Sequence, residues 1–195
     1  MRFFSVLLNR IPQINQKQLD LGFVDSTVSK LSACIRAAFF LSHGIRRHTI
    51  VYILVEDGNY VIKLVGAELK YLGPDARSIA LLLMKAQIEL KELNKRKDTL
   101  SKRGVYLSKN SVNLLEILRN INASQVIFPT MNGKSIEEIV IEGSVNSVIP
   151  IEYPFPDLIK SQLINQGFKE VFFRDIYTID NFIVIVHNLL DALWE

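Results

Sequence analysis

Residues 144–156 read SVNSVIPIEYPFP. The first part, SVNSVIPI, is short, apolar and rich in Val and Ile, as a strand heading into a core would be. It ends in IPIEYPFP, residues 149–156, which hold three of the chain's six prolines. Proline fixes φ near about −65° and has no N–H to donate. A buried strand therefore passes straight into a stiffened loop, at the place where α/β folds carry their binding loops.

The same unit repeats on either side. RFFSVLLN reads as a first strand. DSTVSKLSACIRAAFFLSH places Val28, Leu31, Ile35 and Phe39 at helical spacing, with Asp25 or Ser26 as the cap. TIVYILVE and YVIKLVG are β-rich runs joined by Asp57-Gly58-Asn59, a hairpin signal. GPDARSIALLLMKAQIELKEL reads as a helix with Pro74 at its first position and Asp75 near its positive end. The charged stretch NKRKDTLSKRG after it reads as exposed. Then follow GVYLSK (strand), SVNLLEILRNI (helix), QVIFPT (strand), DLIKSQLINQ (helix) and FKEVFF (strand). DNFIVIVHNLLDALWE closes the chain as a helix. Strand–helix alternation predicts an α/β domain with a largely parallel sheet. The closing helix is apolar nearly all round, so it has to be buried on more than one side, by a second subunit or by deep packing.

At 195 residues and 49% hydrophobic composition, the chain suits one domain, 1–195, with a sizeable core. No apolar run approaches the ~18 residues of a membrane helix. MRFFSVLLNR reads as a strand rather than a leader, and one cysteine, Cys34, allows no internal disulfide. A cytoplasmic protein with a buried thiol is the expectation. Nucleotide-loop signatures (GxxxxGK[ST], GxGxxG) and GxSxG are absent, and three scattered histidines with one cysteine make a metal site improbable. His43 reads as a helix-end cap rather than a catalytic base.

Net charge is +3, unevenly spread: residues 1–133 carry 19 Lys/Arg against 10 Asp/Glu, and residues 134–195 carry 4 against 10. A basic half suits a polyanion such as RNA.

Two long segments, AFFLSHGIRRHTIVYILV (38–55) and IKLVGAELKYLGPDARSIALLLMKA (62–86), resemble the archaeal tRNA pseudouridine N1-methyltransferase family, of the SPOUT class. GVYL (104–107), MNG (131–133) and VHNLLD (186–191) agree, so the resemblance spans nearly the whole chain. It implies a C-terminal trefoil knot in the region of about 125–195, a homodimer, S-adenosylmethionine as cofactor, and methyl transfer to N1 of a pseudouridine in the tRNA T arm. It also implies three cofactor loops. The family's leucine–histidine pair falls on Pro129 and Thr130, and its glycine-containing loop on Pro150, Ile151, Glu152, Tyr153 and Pro154. The run ahead of the last helix falls on Thr178, Ile179, Asp180, Asn181 and Phe182. The family's Arg–Asp stretch falls on Ser26, Thr27, Val28 and Ser29.

Every one of these places departs from the family pattern. Proline replaces glycine where backbone amides would meet a ligand, and Phe182 replaces cysteine. Two readings follow. Either the cofactor site is rebuilt, with Tyr153, Phe155 and Phe182 as stacking faces, or the chain is a catalytically silent homologue that binds RNA or a partner subunit. The candidate cofactor contacts are Pro129, Pro150, Ile151, Glu152, Asn181 and Phe182; the catalytic base is not identifiable. For RNA, Arg46 and Arg47 come first, then Lys63 and Lys70, with Lys95, Arg96, Lys97, Lys102 and Arg103 as a basic run. The competing reading has Arg46 or Arg47 paired with Glu68 or Asp75 to hold the fold.

Overall fold

The computed structural model describes residues 1–41, 44–70, 72–93, 100–109, 114–174 and 177–194. His43 and the run Lys95, Arg96 and Lys97 lie outside them.

The first strand, β1 (Arg2–Leu8), is buried along its whole length and forms the axis of the molecule. Its side chains divide with a period of two: Phe4, Val6 and Leu8 enter one core and Phe3 and Leu7 the other. After β1 come α1 (Gln16–Asp20), α2 (Ser26–Phe39), the two-residue pair β2 (Phe40–Leu41) and β3 (Gly44–Ile45), then β4 (Thr49–Val55) and β5 (Tyr60–Val65). Next are α3 (Ala76–Leu93), β6 (Leu100–Lys102), β7 (Val105–Lys109), α4 (Leu114–Asn120) and β8 (Gln125–Thr130). The chain continues through β9 (Val145–Pro150), α5 (Asp157–Asn165) and β10 (Lys169–Phe172) to α6 (Ile179–Trp194).

Eight strands form one sheet in the order β10-β8-β9-β1-β4-β5-β7-β6. Neighbours from β10 through β4 run parallel, and the remaining pairs are antiparallel. The expected α/β class and mostly parallel sheet are therefore what is found. The antiparallel part follows from the turn at Asp57–Asn59, where Gly58 and Asn59 adopt φ +90° and +53°. This is the left-handed backbone a tight hairpin needs.

One face of the sheet is covered by α2, α3 and α6, and the other by α4 and α5. Asp25 caps α2, its carboxylate accepting from the Thr27 amide at 2.8 Å. Asp75 does the same for α3, accepting from the amide of Ser78 at 2.8 Å and from its hydroxyl at 2.6 Å. Pro74 therefore stands ahead of the helix, not in its first turn as its position suggested. The capping carboxylate, not the proline, sets where the helix starts. A second difference is β6, a short edge strand on β7 inside the stretch that composition marks only as exposed. Its three residues, Leu100–Lys102, are too few to carry a strand pattern, and tertiary pairing decides their geometry.

The last helix differs as well. Phe182, Ile183, Val186 and Leu190 are buried against α2 and the sheet, while Val184, Ile185 and Leu193 are 53, 39 and 51% exposed. Within this chain α6 is buried on one side only. No helix among the described residues is long and apolar enough to cross a membrane.

Candidate functional site

All five parallel strands point their carboxyl ends the same way, and at that end the loop after β9 meets its neighbours. Pro150 closes β9 opposite Leu7 of β1, and the Ile151 amide donates to the Leu7 carbonyl at 2.8 Å. The Tyr153 hydroxyl donates to the carbonyl of Phe173, just past β10, at 2.7 Å. The Phe173 amide in turn donates to the carbonyl of Thr130, the last residue of β8, at 2.8 Å. Three segments, 129–134, 150–156 and 173–174, are thus tied together. The first also lies on β10: a Cβ on Gly133 would come within 2.4 Å of the Val171 backbone, so only glycine fits there.

Rings fill the space among these loops. Phe173 packs edge-on to Tyr153 (centroids 5.6 Å apart) and to Phe182 (5.4 Å), and Tyr177 tilts against it at 6.0 Å. Phe182 and Phe173 are 0 and 2% exposed. Edge-to-face rings of this kind are core packing.

The other flank of the 150–156 loop is open. A cleft of about 530 Å³ lies between it, the ends of β1 and β4, and the start of α5. Its floor is apolar, with Leu7, Leu54, Phe155 and Ile159; Asn9, Glu56, Asn59, Glu152 and Gln162 supply polar groups. Among the described residues no lysine or arginine lines it. Glu152 is exposed and pairs with Lys30 of α2 at 2.7 Å. That contact brings the first turn of α2, with Ser26, Thr27, Val28 and Ser29, beside the β9 loop.

The candidate residues therefore separate. Pro150, Ile151 and Glu152 border the cleft. Pro129 is buried inside β8, and the Asn181 side chain is exposed and donates to the Thr178 hydroxyl at 3.0 Å. Phe182 belongs to the core and presents no free face for stacking, whereas Phe155, 6% exposed, borders the floor of the cleft. Cys34 is fully buried in α2, and burial pushes its thiol up to about 12, so it is no nucleophile at neutral pH. Among the described residues no cluster of His, Cys, Asp or Glu could hold a metal.

The candidate cations lie elsewhere. Lys70 is exposed beside the cleft between α3 and β7 that Arg103 also lines. Lys63 sits on β5 with its ammonium 5.6 Å from both the Tyr52 and the Tyr106 ring. Arg46 and Arg47 are at the opposite end of the sheet. Arg46 forms a fork on Asp191 at 3.0 and 2.8 Å, and Arg47 donates to the carbonyls of Gly66, Ala67 and Leu69 at 3.2–3.5 Å. Neither pairs with Glu68 or Asp75; the acid that holds Arg46 is Asp191, 145 residues away.

Asp191 belongs to a network that sequence reasoning missed. Arg2 also donates to Asp191 and, at 3.0 Å, to Nδ1 of His187. Arginine has no acceptor, so the His187 proton sits on Nε2, which donates to the Ala38 carbonyl at 3.0 Å. Burial first, and the charges of Arg46 and Arg2 after it, pull the His187 pKa down to about 3. Burial draws the Asp191 carboxyl upward, but the hydrogen bonds from Arg46 and Arg2 outweigh it and hold the pKa below the ordinary value. The signal was in the sequence: His187 and Asp191, four residues apart and so on one face, interrupt a largely apolar helical run.

This geometry is that of an α/β protein with ligand loops at the carboxyl edge of a parallel sheet. The chain belongs to the family described as "Putative SAM-dependent RNA methyltransferase", whose model matches residues 2–194. It is 31% identical over 188 residues to the tRNA (pseudouridine(54)-N(1))-methyltransferase of Methanococcus maripaludis strain C7, covering 93% of this chain and 92% of that protein. The enzyme of the same name from Methanocaldococcus jannaschii is 34% identical over 173 residues, 83% and 82% of the two chains. In fold the chain is similar to Archaeoglobus fulgidus Nep1 bound to S-adenosylhomocysteine, with TM-score 0.58, 16% identity and 96% and 95% coverage.

The donor that the family description implies has two places to go at this edge. Between Thr130, Tyr153 and the start of α6, the rings of Phe173 and Phe182 pack against each other. The cleft on the other flank has a volume in the range of ligand pockets, about 300–1,000 Å³, an apolar floor for a base and polar groups for a ribose.

Proposed function

We propose that this chain is an S-adenosylmethionine-dependent RNA methyltransferase acting on N1 of a pseudouridine in the T arm of tRNA, in the cytoplasm where tRNA is. The observation that carries this reading is the family match over residues 2–194, which takes in all the loops at the carboxyl edge. The donor would supply an electrophilic methyl group. On the chain's side, the cleft beside Pro150, Ile151 and Glu152 would hold its adenosine part. The loop ties at Tyr153 and Phe173 would keep that wall fixed. Residues 125–195 would form the knotted cofactor region. The exposed apolar stripe of α6, with Val184, Ile185 and Leu193, would be covered by a second copy of the chain.

One specific observation favours a second reading, a catalytically silent family member that binds RNA. The buried Phe182 fills the space among the loops that the resemblance assigns to the donor. Calorimetric titration with S-adenosylmethionine, followed by labelling of a T-arm hairpin carrying pseudouridine, separates the two. Micromolar binding at one site per chain with methyl transfer supports the first. No binding up to millimolar donor, with RNA still bound, supports the second.

A further inference from the structure

An ion pair stands at the rim of the carboxyl-edge cleft. Lys30 of α2 donates to the carboxylate of Glu152 in the β9 loop at 2.7 Å, and Glu152 lines the cleft. We infer that this pair is the subsite for the amino-acid tail of the methyl donor. The Lys30 ammonium would take the tail's carboxylate, and the Glu152 carboxylate its ammonium. The inference rests on the proposal that the cleft holds the donor's adenosine part.

Three observations carry this. The first is the chemistry on offer. The tail of S-adenosylmethionine is a zwitterion, so it is matched by one cation and one anion side by side. Among the described residues that line the cleft, the charged ones are Glu56 and Glu152, both acids. Lys30 supplies the cation through its contact with Glu152. The second is spare bonding capacity. The two side chains are 48 and 69% exposed, and neither makes a second hydrogen bond among the described residues. An ammonium has three donors and a carboxylate two acceptor oxygens, and the pair uses one of each. A zwitterion can therefore close a ring of alternating charge without breaking the bond between Lys30 and Glu152. The third is charge balance. Two carboxylates and one ammonium leave the cleft with a surplus negative charge. The donor, with a sulfonium beside its zwitterionic tail, carries a surplus positive one, so the two are complementary. A phosphate of RNA is the poorer match, because it would meet the carboxylate of Glu152 together with the ammonium of Lys30.

The test titrates the full chain by calorimetry with S-adenosylmethionine and with methylthioadenosine, which keeps the nucleoside and lacks the amino-acid tail. Wild type is compared with Lys30→Met and with Glu152→Gln. An exposed pair adds little to stability, so both variants should fold, and melting temperatures check it. The expected result is about a tenfold loss of S-adenosylmethionine affinity in each variant, with methylthioadenosine bound as in wild type. Equal losses for the two ligands, or no loss for either, in folded variants would overturn the inference and leave the donor reading in place. A wild-type chain that binds neither ligand would overturn the donor reading, and the inference with it.

Discussion

The two ends of the parallel sheet have opposite character, and one helix reaches both. At the carboxyl end, α6 contributes Phe182 to a packed set of aromatic rings, and the neighbouring cleft is lined by carboxylates, amides and apolar side chains. At the amino end, the same helix contributes His187 and Asp191 to a network with Arg2 and Arg46. The carboxyl end offers shape and apolar surface, with the Lys30–Glu152 pair at its rim; the amino end holds Arg2 and Arg46 on Asp191. At one end the charged groups stand exposed beside a cleft; at the other they are held on each other within the fold. Asp191 shows how the division is stabilised. A carboxylate near a helix C-terminus meets the negative end of the dipole, and two guanidinium groups offset that cost.

The comparison breaks most visibly at Phe182. Phe182→Ala removes a fully buried ring and should cost about 4 kcal/mol of stability, read as a shift in the chemical-denaturation midpoint. A variant that folds should also bind S-adenosylmethionine more tightly if the ring occupies donor space. Unchanged stability would mean the ring is not packed as described.

At the amino end the expected losses depend on pH. His187 is neutral when folded, with a pKa near 3 against 6.5 in an unfolded chain. The unfolded chain therefore binds the extra proton between these values. The contribution of His187 is fully present above about pH 6.5 and declines as pH falls toward 3, by roughly 1.4 kcal/mol per unit. Asp191, held below its ordinary value, adds a further loss at the acidic end, as pH falls below the unfolded carboxylate range. Denaturation midpoints from pH 7 to 4 should fall steeply in wild type and less steeply in His187→Gln.

Asp191→Ala leaves Arg2 and Arg46 facing each other without their shared carboxylate. A fully buried pair would lose about 3–5 kcal/mol. With Asp191 itself 39% exposed, about 2 kcal/mol is expected. Stability equal to wild type would argue against the network.

Smaller effects mark the loop ties. Tyr153→Phe removes the hydrogen bond to the Phe173 carbonyl and should cost about 1 kcal/mol. Lys30→Ala removes an exposed pair with Glu152 and should change stability by less than about 0.5 kcal/mol. A large loss there would mean that α2 and the β9 loop are coupled more strongly than this contact implies.

Much of the fold was legible in the sequence because period and punctuation are local. The β9 run, the α2 cap at Asp25 or Ser26 and the hairpin at Gly58 each follow from a few neighbouring residues, and the long segments 38–55 and 62–86 fix the family. The start of α3 was legible only to within two residues, since proline and aspartate compete for the same signal. The edge strand β6 was not legible, since its three residues are too few to show a strand pattern and gain strand geometry only by pairing with β7. The carboxyl-edge loops were placed by resemblance, but the sequence could not say whether Phe182 faces a ligand or the core. A ring's burial depends on Phe173 and Tyr153, which lie elsewhere in the chain. The arginine cluster was the least legible part. Arg46 and Arg47 stood out as cations, but Arg46 is anchored 145 residues away at Asp191 and Arg47 on the carbonyls of 66, 67 and 69. Which hydrogen bonds they make inside the fold is decided by long-range packing, because a side chain's partners are set by what the fold brings to it.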